Sequence, residues 1–111
     1  MRSLEIGIPI YDNVLDASDT LRRAIALPGV TSIHLSVNRP GGRDSHFLKL
    51  AELDARVRVT LQPVNLGLYG NLRFLVNNAG AEYFSWLAAD DLISEDFVQA
   101  FLSSSEVSSL T

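Results

Sequence analysis

Cysteine is absent from this chain, lysine occurs once, and no segment concentrates charge of one sign. Each scarcity removes a class of function. Without cysteine there is neither a disulfide framework nor a thiolate zinc site. Nine Lys and Arg stand against thirteen Asp and Glu, a formal charge of −4. That balance, with no basic cluster, excludes the cationic face of a nucleic-acid reader and a polybasic membrane-surface site. No apolar run approaches the ~20 residues of a bilayer span. Met1-Arg2-Ser3 leads straight into a strand-like run without the apolar core of a signal peptide, so a cytoplasmic location is expected. A phosphorylated receiver domain needs an acidic pair after its first strand, an Asp after its third and a late Lys. Here Gln62-Pro63 follows the third strand and the lone lysine is Lys49. A dinucleotide dehydrogenase needs Gly-x-Gly-x-x-Gly after its first strand, and Pro9-Ile10-Tyr11-Asp12-Asn13-Val14 lacks it.

What remains is 111 residues, enough for one core and hardly for two. Leu4-Glu5-Ile6-Gly7-Ile8-Pro9-Ile10 reads as a largely buried strand that should end near Pro9, which cannot donate to a ladder. Residues 14–27 read as a helix with Leu21, Ala24, Ile25 and Leu27 on one face and Pro28-Gly29 as its stop. A strand at 30–37, a loop at 38–45 and a short helix at 46–54 follow. That helix offers Phe47, Leu48, Leu50, Ala51 and Leu53 to the core. Residues 56–61 alternate as a third strand. A loop at 62–67 leads into a helix at 68–79, then an aromatic strand at 83–88, from which Tyr83 and Trp86 are expected to enter the core. A last helix is expected at 94–102, and 103–111 is a Ser-rich tail or truncation edge. His34 and His46 lack metal-ligand spacing and are expected to be structural.

The order βαβαβαβα implies an α/β, doubly wound, mostly parallel sheet with helices on both faces. Such sheets bind ligands beyond the carboxyl ends of the strands, where strand order reverses. The loops of interest are therefore 11–13, 38–44, 65–71 and 88–91. In the last, Asp90-Asp91 offers two hard oxygen donors where a cation could bridge to a diphosphate. The pair would equally serve to cap a following helix. Arg39 and Arg43 could meet phosphates, although solvated loop arginines are commoner.

Four motifs in order then carry a resemblance: Pro9-Ile10-Tyr11-Asp12, Asn65-Leu66-Gly67 followed by Asn71, Gly80-Ala81 ahead of the aromatic strand, and Ala88-Ala89-Asp90-Asp91. The chain resembles the family 2 glycosyltransferases, of GT-A fold, over residues 4–102. The resemblance implies a Rossmann-like nucleotide-sugar-binding half, with 1–102 as that subdomain, transferring sugar from a nucleoside-diphosphate donor to an acceptor hydroxyl with inversion. It implies donor contacts from Pro9, Tyr11, Asp12, Asn38, Gly67, Asn71 and Asp90, and Mg²⁺ or Mn²⁺ on Asp90 and Asp91. The acceptor and the catalytic base are unspecified. The expectation is that further C-terminal chain completes the enzyme. If the chain ends at Thr111, a bare sheet edge is expected to drive self-association into a homo-oligomer. Two departures from the family pattern stand out. Ala88 replaces the first Asp of Asp-x-Asp, and Val37 stands where an Asp usually meets the base, with Asn38 beside it. Both suit an alternative, a non-catalytic nucleotide-sugar-binding module.

Overall fold

The computed structural model describes residues 3–11, 14–38 and 41–87. The elements run β1 (Leu4–Ile10), α1 (Val14–Ala26), β2 (Ser32–Val37), α2 (Asp44–Leu48), a 3₁₀ segment (Lys49–Leu53), β3 (Val57–Leu61), α3 (Gly67–Asn77) and β4 (Tyr83–Trp86). All strand pairs are parallel, in the order β3-β2-β1-β4. The fold is the α/β arrangement that the alternation of elements implies. The helix expected at 94–102 and the tail lie outside the described residues.

The two faces of the sheet differ in chemistry. Strand side chains alternate between faces. One face carries Leu4, Ile6, Ile8 and Ile10 of β1 with Ile33, Leu35 and Val37 of β2, all buried in the main core with Ala17, Leu21 and Ala24 of α1 and Phe47 of α2. The other face, under α3, carries Glu5, Ser32, His34, Ser36, Arg58, Thr60 and Gln62. There Glu5 accepts from the Ser32 hydroxyl at 2.9 Å and from Arg58 at 3.2 Å. His34 Nε2 lies 2.7 Å from the Thr60 hydroxyl, and Gln62 donates to the Ser36 hydroxyl at 2.9 Å. Apolar cover on this face comes from Leu75 and Phe84, both fully buried. A Cβ on Gly7 would stand 2.5 Å from Phe84 Cζ, so glycine in β1 is what lets that ring cross the strand.

Several expectations need correction. The segment expected as one helix over 46–54 begins at Asp44 and changes to 3₁₀ at Lys49. Only Phe47 and Leu50 of its five proposed core residues are buried, while Leu48 and Leu53 are exposed. Trp86 is 38% exposed rather than a core aromatic, and Tyr83 is half-buried against the core. His34 is buried, as a structural histidine should be, whereas His46 is exposed. Strand β1 runs past Pro9 to Ile10, for a reason that bears on the site.

Candidate functional site

From β1 the chain steps outward to β2 and β3, then returns to place β4 on the other side of β1. The switch point lies between β1 and β4, and a ligand crevice is expected outside their carboxyl ends. Pro9 shapes it. Successive residues of a parallel strand bond to opposite neighbours, and the Gly7 carbonyl accepts from Leu87 N–H at 2.9 Å on the β4 side. The donor missing at Pro9 therefore faces β4, where the pairing among the described residues runs to Gly7↔Trp86. On the other side, pairing with β2 continues to Ile10↔Val37, and the Ile10 carbonyl accepts from Asn38 N–H at 2.8 Å. A proline can occupy this strand because its silent side lies past the β4 pairing of the described residues, while the β2 side keeps its ladder. Among the described residues, the last three of β1 thus lie beyond its pairing with β4. Tyr11 follows at the mouth, 47% exposed, with its ring available for stacking.

Asn38, Gly67 and Asn71 form a second, contiguous unit beside that mouth. The Asn38 amide donates to the Gly67 carbonyl at 3.2 Å, and its oxygen accepts from Leu66 N–H at 3.0 Å. Asn65 accepts from Gly67 N–H at 2.9 Å, closing the turn that Gly67 enters at φ +73°. A left-handed backbone of this kind favours glycine. One turn into α3, Asn71 is fully buried and donates to the Ser36 carbonyl at 3.0 Å. Its Oδ1 has no hydrogen-bond partner. These side chains tie the start of α3 to the end of β2 and leave the Asn71 amide beneath the surface.

Ser36 and Gln62 belong to this unit and escaped the sequence reading. Their signal was present as the polar halves of two alternations, Ser32, His34, Ser36 and Asn38 along and just past β2 and Arg58, Thr60 and Gln62 along and just past β3, which the apolar halves obscured. Val37 faces the aliphatic core and is fully buried, so its side chain is directed away from the α3 face. Arg43 and Asp44 are exposed at the start of α2. Asp12, Arg39, Asp90 and Asp91 lie outside the described residues.

Shifted titrations among the described residues occur in groups that support the fold. Burial, and then the charge of Arg58, lower His34 to about 4. Arg58 can only donate, and it lies 3.4 Å from His34 Nδ1, so the neutral ring carries its proton on Nε2, facing Thr60. Hydrogen bonds from Arg56 hold Asp54 at about 2. Arg56 also donates to the carbonyls of Val30 at 2.7 Å and Ile25 at 3.0 Å, joining the start of β3 to the turn before β2 and to the last turn of α1. No group of three or more potential metal ligands occurs among the described residues. Asp90 and Asp91, the expected cation ligands, lie outside those residues. Their carboxylates suit Mg²⁺ or Mn²⁺, and Asp90 follows Leu87 by three residues, a reach of at most about 11 Å.

The family model for glycosyl transferase family 2 matches residues 44–106. No curated protein matches the chain in sequence. Among solved structures, S. aureus TarS is similar with a TM-score of 0.69 at 14% identity, over 91% of this chain and 19% of TarS. TarS 1–349 in complex with UDP gives 0.68 at 14% identity, covering 88% of this chain and 30% of that one. The same segment of TarS in complex with UDP-GlcNAc gives 0.64 at 10%, covering 88% and 29%. The chain thus spans less than a third of each of these structures, and at such identities the likeness is one of fold.

Proposed function

The chain belongs to glycosyl transferase family 2, and from that premise we propose that it binds a nucleoside-diphosphate sugar across the ends of β1 and β4 for transfer to an acceptor hydroxyl. The observation that carries this reading is the switch point itself, where β1 pairs with β2 on one side and β4 on the other and half-exposed Tyr11 follows the end of β1. The UDP and UDP-GlcNAc complexes of the similar fold in TarS support this donor class.

In the proposed complex, Tyr11 packs on the base, and Pro9 and Asp12 form the rest of that pocket. Asn38 and Gly67 hold the neighbouring loop, and Asn71 anchors the helix that follows. Asp90, with Asp91, would hold Mg²⁺ or Mn²⁺, which supplies positive charge to the departing diphosphate. Transfer forms a bond from the acceptor oxygen to the anomeric carbon and breaks the bond from that carbon to the phosphate oxygen. Attack opposite the leaving group inverts the anomeric centre. The acceptor proton passes to a base that is unassigned. Titration calorimetry with UDP, dTDP and GDP, with and without Mn²⁺, tests the donor reading. Binding of a nucleoside diphosphate that weakens in Tyr11→Ala is expected, and no binding of any of the three would overturn it.

The second reading is a donor-binding module without transfer. It draws on Ala88 in place of a carboxylate, and on Val37, whose buried side chain cannot take the place of an Asp at the base. Under this reading nucleoside diphosphates bind, but a donor hydrolysis and transfer assay shows no turnover even with the full-length gene product.

A further inference from the structure

Strand β3 lies at one end of the sheet. Its inner edge pairs with β2, and its outer edge has no strand beside it among the described residues. The Ile33 N–H donates to the Arg56 carbonyl at 3.0 Å and the Gln62 N–H to the Val37 carbonyl at 2.8 Å. Successive residues of a parallel strand bond to opposite neighbours, so the backbone groups of Val57, Val59 and Leu61 are turned outward. The Asp54 carbonyl takes the Val57 N–H at 3.2 Å. The Val57 carbonyl and both backbone groups of Val59 and Leu61 remain for a partner. Proteins commonly blunt such an edge with Lys, Pro or a bulge. Val57–Leu61 holds neither residue and pairs with β2 in unbroken register. Its one charge, Arg58, lies on the α3 face and meets Glu5 at 3.2 Å, while Arg56 just before it meets Asp54 at 2.9 Å.

We propose that the outer edge of β3 binds β3 of a second copy of this chain, antiparallel about a two-fold axis at Val59. The self-complementarity of the strand selects this occupant. A two-fold interface sets a patch against itself, and an axis perpendicular to the sheet makes the paired strands antiparallel. With the axis at Val59, the two Val59 residues exchange both of their N–H···O bonds, and the Leu61 N–H of each copy meets the Val57 carbonyl of the other. One face of the seam is then apolar throughout. Val59 stands opposite Val59 and Val57 opposite Leu61, side chains that already belong to the aliphatic core or pack against it. On that face α2 and the 3₁₀ segment pack against β3, and their Leu48 and Leu53 are 49% and 40% exposed. On the other face Arg58 stands opposite Thr60, so no like charges are opposed. A strand of another protein would satisfy the same backbone groups, but nothing in β3 selects its side chains. The crevice at β1 and β4 lies on the far side of β2 and stays open in such a dimer, so this inference stands or falls apart from the donor reading.

One strand pair and a few side chains make a small interface, so the dimer should be weak and concentration-dependent. Static light scattering of the full chain at rising concentration should show it. Val59→Pro removes an N–H that faces outward and leaves the β2 ladder whole, as Pro9 does on its silent side in β1. It should weaken association at least about ten-fold, because each copy loses a bond to the other, with far-UV dichroism retained. A chain that stays monomeric up to about 1 mM, or a folded Val59→Pro variant that dimerises as the wild type does, would overturn the proposal. If Val59→Pro loses its fold, disulfide trapping decides. The chain has no cysteine, so an introduced thiol reports without background. Opposed Val59 positions would have Cα atoms about 5.5 Å apart, within disulfide range. Under mild oxidation Val59→Cys should link two copies several-fold faster than Glu82→Cys, which precedes β4 at the other end of the sheet. Equal rates would also overturn it, and would leave the edge to a strand of another protein.

Discussion

Gly7 lies in the middle of a strand, where glycine ordinarily weakens packing. Its value here is the space above it, because any Cβ would meet Phe84 Cζ at 2.5 Å and Leu75 Cβ at 3.1 Å. Gly7→Ala should therefore destabilise the fold by about 1–3 kcal/mol, as overpacking does. Adding Phe84→Leu should recover part of that loss, a coupling that denaturant unfolding of the single and double variants measures. His34 yields a pH prediction of definite sign. Its folded value of about 4 lies below the ordinary 6.5, so the unfolded chain takes up the proton first as pH falls. The stabilisation is complete above about pH 6.5 and is lost as pH drops towards 4. The shift corresponds to about 3 kcal/mol. His34→Gln keeps a partner for Thr60 and should flatten the stability profile in that window. An unchanged slope would show that other groups govern it.

At the scale of elements, the tie between β2 and α3 can be taken apart one amide at a time. Asn71 gains a bond to the Ser36 carbonyl but leaves Oδ1 buried and unpaired, a cost of about 1–3 kcal/mol. Asn71→Leu removes both the bond and the orphaned oxygen and should be nearly neutral in chemical denaturation. Asn71→Asp puts a carboxylate against the Ser36 carbonyl and should cost about 3 kcal/mol or more, as an unpaired buried charge does. Equal losses in the two variants would mean that shape, not polarity, sets the site. The existence and order of these elements were readable because period-two and helical patterns survive in single sequences. Their partners were not. Glu5 and Arg58 are 53 positions apart, and the Ser32, His34 and Ser36 series looks like interruption in an apolar strand until α3 lies over it. Likewise, Asn71 reads in sequence as one of the donor-binding residues, and only the packing of α3 shows that it is buried. The turn to 3₁₀ at Lys49 has no signal in composition.

For the molecule as a whole, net charge decides how a diphosphate could be held. A chain of charge −4 with no basic cluster has little of its own to attract a dianionic ligand. Among the described residues, the crevice at β1 offers an aromatic ring and backbone. If that crevice takes a nucleoside diphosphate, a divalent cation is the economical source of positive charge, and Asp90 and Asp91 are the ligands proposed for it. Asp90→Ala should then abolish the part of UDP affinity that depends on Mn²⁺, while leaving the metal-independent part that Tyr11 supports. Ala88→Asp should act in the opposite direction. A second carboxylate two positions before Asp90 adds an oxygen ligand, and a gain of about ten-fold in Mn²⁺-dependent affinity corresponds to about 1.4 kcal/mol. Calorimetry with UDP across a Mn²⁺ series, repeated after chelation with EDTA, measures both. UDP affinity that is indifferent to Mn²⁺ in wild type and in both variants would remove the cation from the reading and leave binding to the base alone.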